Sequence, residues 1–477
     1  MLKSNLLKLL GIGCVCLTYA ACKIPVVATK TENKSVPSGF TNSQDTVNMA
    51  TVKWKSYFTD PNLASLIDTA LKNNQELNIT LQEITISQNE IAARKGEYLP
   101  FVGIRGGAGV EKVGRYTSQG AGDATTEIKP GKEMPDPLPD FLIGAYATWE
   151  ADIWHKLHNA KKAAVERYLA SIEGRNFVVT SLIAEIANSY YELLAFDNQL
   201  KIIDSNIAIQ TNALEIVKQQ KEAARVTELA VRKFEAEVLN TKSLQYGIQQ
   251  QITETENRIN FLLGRFPQHI VRDDNSLNAA LPATIQTGIP SQLLSNRPDI
   301  KQAELELSAA KLDIQVAKAK FYPSVGISAG VGWNAFSPTY LFRTPESMLY
   351  SLAGELVAPL VNKAAIKAEY INANARQVQA VYNYERTIVN AYAEVANQVA
   401  KIGNLAKSYD LKAQQVIALT QSIDISNDLF KNARADYMEV LLTQRDALES
   451  KFELVETRVQ QMKAMVNIYQ ALGGGWN

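Results

Sequence analysis

Cysteine and histidine are almost absent from this chain. Its 477 residues include three cysteines, Cys14, Cys16 and Cys22, all within the first 22 positions, and three histidines. The body after Cys22 can therefore hold no internal disulfide and no cysteine metal cage. His155 and His158 are spaced for one helix face but lack a third ligand nearby, so they read as polar helix-start residues and no metal site is expected. An excess of charge is also missing, with 49 Lys+Arg against 49 Asp+Glu. That balance excludes a nucleic-acid binder built on a general basic surface. There is no glycine-rich phosphate loop with a following Lys-Ser/Thr, and no serine elbow. Paired carboxylates abound only as a solvated helix surface requires. Neither an enzyme nor a cofactor is expected. Hydrophobic content is 46%, ordinary for a globular chain and without the excess of transmembrane helices.

The N-terminus is where the cysteines have meaning. Lys3 gives a positive start, Leu6 to Thr18 a short apolar core, and Ala20-Ala21 a small-residue cleavage site. The run is short for a membrane span and Lys8 interrupts it. Residues 1–21 read as an export signal. Ala20-Ala21-Cys22 resembles the lipobox of bacterial lipoproteins, with Tyr19 in place of the usual Leu. The resemblance implies that Cys22 is lipidated and becomes the first mature residue; plain secretion with an incidental cysteine is the alternative. Lys23 stands where inner-membrane lipoproteins carry a retaining Asp. Residues 22–50, rich in Thr, Ser, Asn and Val without helical period, read as a tether.

The body reads as one unit written twice. Asn74-Gln-Glu-Leu77 aligns with Arg297-Pro-Asp-Ile300, and Leu99-Pro-Phe-Val-Gly-Ile104 with Tyr322-Pro-Ser-Val-Gly-Ile327, both at an offset of 223. Ala224-Arg225 aligns with Ala433-Arg434, and Leu263-Gly264 with Leu472-Gly473, at an offset of 209. The first copy (51–265) therefore carries a longer insertion between 110 and 150, a loop by its Gly and Pro content; the second copy spans 291–477, after a linker at 266–290. Each copy has a helix, two strands around a loop, and two very long helices. Strands are expected at about 100–112, 140–153, 323–336 and 347–359, and long helices over 155–264 and 363–472. Val102, Ile104, Ala108 and Val110 alternate with Gly103, Arg105, Gly107 and Gly109. Phe141 to Trp149 and Val325 to Trp333 alternate likewise. One apolar and one small or polar face is the signature of a membrane-barrel strand, and also of a half-buried soluble sheet. The helices tip the balance. Val179, Ile183, Ile186, Tyr190, Leu193, Ile203, Leu214 and Val217 follow a coiled-coil repeat, as do Leu448, Phe452, Val455, Val459, Met462, Val466 and Tyr469. A helix from 155 to 222 would be roughly 100 Å long at ~1.5 Å per residue.

Four short strands cannot close a membrane barrel, since the smallest have about eight. Two chains would give a barrel filled by its own side chains; three give twelve strands and a lumen. Several motifs then carry a family resemblance. They are Arg297-Pro-Asp-Ile with Ala303-Glu304, Phe321-Tyr-Pro-Ser-Val, Trp149-Glu-Ala-Asp-Ile-Trp154, Tyr437-Met-Glu-Val-Leu441 with Gln444-Arg445, and Ala471-Leu-Gly-Gly-Gly-Trp476. In this order the chain resembles an outer-membrane factor of the TolC/OprM kind, the lipoprotein channel of resistance-nodulation-division efflux systems. The resemblance implies a mostly α fold with membrane β. A long α-helical coiled-coil barrel would sit under a trimeric twelve-stranded transmembrane β-barrel. Residues 266–290 and the terminal segments would form a belt. It also implies a homotrimer in the outer membrane, a periplasmic adaptor, an inner-membrane pump of that type, and passive export of drugs or other small molecules. The exit of a type I protein-secretion system and a trimeric coiled-coil structural lipoprotein remain as alternatives.

The same resemblance points to a gate at the periplasmic tip, in the polar corner Arg434, Asp436, Tyr437 and Glu439. Glu439 matches the family's constricting acidic position, while Leu442 stands where some members carry a second acid. Arg434 and Arg225 replace a common turn glycine. Arg434, Arg225 or Glu228 would pair with neighbours and hold the tip shut. Trp149, Trp154, Phe141 and Tyr322 lie near strand ends, as an interfacial aromatic belt or as packing at the strand–helix junction.

Overall fold

The computed structural model describes residues 24–28, 30–40, 46–273, 277, 286–359, 361, 363–432 and 434–476. Cys22 and most of the 274–285 stretch of the linker lie outside them. Helices dominate. In chain order the main elements are α1 (Pro61–Asn73), α2 (Gln75–Tyr98), β1 (Phe101–Glu111), β2 (Leu138–Ala151), α3 (Lys156–Glu222), α4 (Glu228–Leu262), α5 (Pro298–Ala319), β3 (Ser324–Ala335), β4 (Met348–Val357), α6 (Ala364–Lys431) and α7 (Tyr437–Ala471). Among the described residues no helix is long and apolar enough to cross a membrane.

The chain forms two compact units. One comprises Thr85–Leu169 and Leu305–Tyr382 with the described residues before Glu32. Its centre is a single antiparallel sheet in the order β1-β2-β3-β4. Every strand joins a helix at one end of the sheet and a loop, 112–137 or 336–347, at the other. The first loop is more structured than its glycines and prolines suggest. It holds a helical turn, Ser118–Asp123, capped by the Thr117 hydroxyl, and a small hairpin of Glu127–Lys129 with Lys132–Glu133. The N-terminal segment, which reads as a tether, is docked. Ile24 and Val27 pack on a cluster of Ala317, Phe321, Tyr370 and Ala373, and the Asn374 amide donates to the Ala28 carbonyl at 2.9 Å.

The second unit comprises Glu32–Ile84, Ala170–Glu304 and Asn383–Asn477. The strap continues there, with the Asn33 N–H donating to Glu385 at 3.0 Å and Phe40 stacked on Tyr392 at 5.4 Å. The main core brings Leu63, Ile67 and Ala70 of α1 onto α3, which is buried on almost every side between Val179 and Ala195, and onto Val459, Val466 and Tyr469 of α7. Tyr57 stacks on Tyr469 at 4.1 Å, and each hydroxyl donates to a backbone carbonyl, Met465 and Val52 respectively. Asp60 caps α1 and also accepts from the Tyr190 hydroxyl at 2.9 Å, joining α1 to α3.

Two helix ends in this unit are closed in the same way. The Asn74 amide donates to the Leu262 carbonyl at the end of α4, and the Arg297 guanidinium donates to the Ala471 carbonyl at the end of α7, both at 2.9 Å. Gly264 and Gly473 follow those ends with φ of +68° and +93°. A Cβ there would lie 2.4 Å from the Asn73 carbonyl oxygen and 2.6 Å from that of Asn296. Only glycine supports both the left-handed backbone and the close approach. Arg297 is almost fully buried. It makes a two-pronged contact with Asp299 (3.0 and 2.7 Å) and a further one with Glu394 (2.6 Å). Burial pulls its pKa down, but the hydrogen bonds and charge of those carboxylates outweigh it and the net shift is upward. Arg272 docks the segment after α4 likewise, between Asp197 and Glu256. Replacing Arg297 with Met should lower stability by about 3–5 kcal/mol, because Asp299 is left without its cation. A thermal midpoint in detergent equal to that of the wild type would contradict this assignment.

Candidate functional site

Two places are candidates for function: the paired helix corners and the faces of the sheet. The corners join α3 to α4 (223–227) and α6 to α7 (432–436). They share one apolar core. Leu214 and Val217 of α3, Val231, Phe234 and Val238 of α4 and Val440 of α7 are buried together, and Phe430 and Tyr437 pack against them. Tyr437 is thus a packing residue that ties the second corner to the first. The residue with left-handed backbone in the first corner is Ala224, with φ +55°, and not Arg225. The Arg225 N–H instead closes the turn onto the Gln220 carbonyl at 2.8 Å, and the Arg434 N–H closes onto Leu429 at 2.9 Å. The turns therefore use the arginines' backbone and leave their side chains in solvent.

Glu228 is the gate candidate with partners in the chain. It pairs with Lys221 across the corner and with Arg232 at 2.8 Å on its own helix. The hydrogen bond from Lys221 holds its carboxyl below the usual range, with the charges of Lys221 and Arg232 adding to it. The pairing is at full strength above the ordinary carboxylate value and is lost as pH falls through the depressed one. The Glu228–Arg232 spacing was readable as an i,i+4 pair; the Lys221 contact depends on how the turn folds. Arg225, Arg434, Asp436 and Glu439 are exposed, and among the described residues none of them forms an ion pair within the chain. Asp436 occupies the N-cap position of α7 without a side-chain cap bond, and Glu439 lies in its first turn, where a negative charge suits the helix dipole.

The sheet register sorts its residues into two faces. Directly opposed residues share a face. One face carries the rows Gly103–Tyr146–Gly330–Ser351, Arg105–Gly144–Gly332–Leu349 and Glu150–Gly326–Glu355. The other carries Val102–Ala147–Ala329–Leu352, Ile104–Ala145–Val331–Tyr350 and Trp149–Ile327–Gly354. The apolar face is open in the single chain, with Ile104 84% and Leu352 79% exposed. The Tyr146 ring lies over Gly103, 2.9 Å from where a Cβ would stand. The aromatic residues at the helix end of the sheet are fixed by hydrogen bonds. Trp149 Nε1 donates to the Tyr98 carbonyl at 3.1 Å. Trp154 stacks on Tyr322 at 4.6 Å and donates to Pro323 at 2.7 Å, so it packs at the strand–helix junction. His155 adopts φ +57° at the start of α3, and Asp152 caps that start by accepting from the Leu157 and His158 N–H groups. Replacing Tyr437 with Ala should cost about 1–2 kcal/mol of packing for a half-buried ring. Limited proteolysis should then cut faster at 431–437; an unchanged rate would contradict its packing role.

The model of the outer membrane efflux protein family matches residues 66–265 and 289–474. The pyoverdine export outer membrane protein OpmQ of Pseudomonas aeruginosa is 28% identical over 424 residues, 89% of this chain and 87% of that one. The cation efflux system protein CusC of Escherichia coli is 25% identical over 473 residues, 97% of this chain and 98% of that one. Among solved structures, the outer-membrane channel OprN superposes with a TM-score of 0.82 at 23% identity, covering 94% of this chain and 99% of that one. With both stretches of the body matched, this chain belongs to the outer membrane efflux protein family, the outer-membrane channels of tripartite efflux systems.

Proposed function

We propose that the protein works as a homotrimer that forms a continuous passive conduit for small molecules across the outer membrane and periplasm. The observation that carries this reading is the sheet. It has an apolar face, a face of glycines and polar residues, and two outer edges, β1 and β4, without a neighbouring strand among the described residues. In lipid each unpaired backbone group costs several kcal/mol. Joining β4 of one chain to β1 of the next in a closed threefold ring satisfies both edges and gives twelve strands. The apolar face then meets lipid and the glycine-rich face lines a lumen. The 67-residue α3 and 68-residue α6, each about 100 Å long, would continue the wall. Apolar side chains left open on the helices, such as Tyr246 and Leu411, support burial against neighbouring chains. The matched closures at Gly264 and Gly473 support an origin by duplication.

In this reading Cys22 carries the lipid anchor. The partners are a periplasmic adaptor and an inner-membrane pump of the resistance-nodulation-division type, and the duct has no catalytic role. The relatives' names, pyoverdine export and cation efflux, favour small cargo over secreted protein. The unpaired charges at the corners would form the gate. Three copies of Glu439 around an axis attract cations, and Arg434, Arg225, Asp436 and Tyr437 set how the corners meet. Light scattering of the detergent-extracted protein should give close to three times the mass of one mature chain beginning at Cys22. The same sample should conduct in planar bilayers, with cation selectivity reduced by Glu439→Ala. A non-conducting monomer would overturn the conduit, and unchanged selectivity would remove Glu439 from the gate.

A further inference from the structure

In the second unit the buried side chains of the long helices change character on the way to the corners. On α3 the only buried residue between Ile203 and Leu214 is Gln210, and on α7 the only one between Val440 and Ala447 is Gln444. Thr241 of α4 and Ser426 of α6 are buried at the same level. Two observations set that level. Asp204 of α3 accepts from Gln245 of α4 at 2.7 Å. Ile209 and Gln444 together line two cavities, of about 310 and 160 Å³, with Ile423 of α6 in the first and Asn427 in the second.

None of the four buried polar side chains joins its helix to another. The Thr241 and Ser426 hydroxyls donate to carbonyls of their own helices, Glu237 at 3.1 Å and Ile423 at 3.0 Å. The Gln210 and Gln444 amides have no partner at either end among the described residues, and both are closed to solvent. Neither water nor a neighbouring chain reaches them without movement of the helices, so each carries the desolvation cost of a donor and an acceptor. An apolar seam fixes helix register by seating knobs in holes. A buried polar group fixes it only by bonding across the seam. This level does neither, and a void lies on either side of it along α3. It stands between two fixed points, since Arg272 holds α3 at Asp197 and the corner cluster begins at Leu214.

We propose that this polar level is a built-in flexure, at which the corner ends of α3, α4, α6 and α7 turn and slide as a body against the anchored parts of the same helices. The displaced arrangement gives the two amides access to partners, which offsets part of the apolar contact that the movement gives up. Its use in opening the corners rests on the conduit reading; the flexure itself does not.

Hydrogen–deuterium exchange of the full detergent-extracted protein tests this. Peptides covering 205–212 and 441–446 should exchange about tenfold faster than those covering 183–195, and faster than those covering 214–220. Fraying from the corner would instead give a steady rise toward 222. Gln210→Met combined with Gln444→Met keeps side-chain length and helix propensity. It removes the unpartnered groups, so exchange in both stretches should slow about tenfold and the thermal midpoint should rise. A uniform profile, a steady rise toward the corner, or a double variant that exchanges as fast as the wild type would overturn the flexure. The wild-type profile needs no variant, so it stands even where the substitutions impair folding. Conductance on the same sample separates the two readings. A conducting trimer with a uniform profile keeps the conduit and rejects this inference. A non-conducting protein with the local maximum keeps the flexure and rejects its use in a gate.

Discussion

The rest of the structure depends on the backbone groups along the outer edges of β1 and β4. A sheet of four strands with one apolar face is unfinished in water and in lipid alike. In water the open face of Ile104, Val102 and Leu352 is exposed; in lipid the edges lack hydrogen-bond partners. Association with further copies resolves both at once. The glycines on the opposite face serve close packing within the sheet: the Tyr146 ring lies over Gly103, and a Cβ at Gly144 or Gly332 would press on the backbone of the facing strand.

The helices carry the consequence away from the sheet. Every strand joins a helix at the same end of the sheet. In the second unit the helix ends are fixed by a few buried charged contacts. Arg297 holds Asp299, Glu394 and the end of α7 together, and Arg272 holds the segment after α4 on Asp197 and Glu256. The corners are built differently. Their core is small and apolar; Glu228 is paired, while among the described residues Arg225, Arg434, Asp436 and Glu439 face solvent without an ion pair.

Much of this was legible in the sequence, for physical reasons that differ by element. The alternation of Val102 and Ile104 with Gly103 and Arg105 is local, so it survives without knowledge of partners. The seam of α3 and α7 is also local, and Ile183, Ile186, Tyr190 and Tyr469 are buried where the repeat put them. The docked segment after Cys22 was not legible. Its contacts come from Asn374, Gln377 and Tyr392, more than 340 positions away, and an extended strap has no period to read. The backbone of the first corner was not legible either: Ala224 takes the left-handed conformation and Arg225 closes the turn through its N–H. The capping of α3 by Asp152 and the structured first loop were hidden by the composition of their surroundings.

The central claim is that β1 of one chain pairs with β4 of another. The body holds no cysteine after Cys22, so a single cysteine on each edge strand reports that pairing directly. Ile104→Cys combined in turn with Tyr350→Cys and Leu352→Cys should, on oxidation in the membrane, give covalent dimers and trimers and nothing larger for at least one pairing. Either edge cysteine alone should give none. Only bridged monomers, or no bridge at any pairing, would contradict the account.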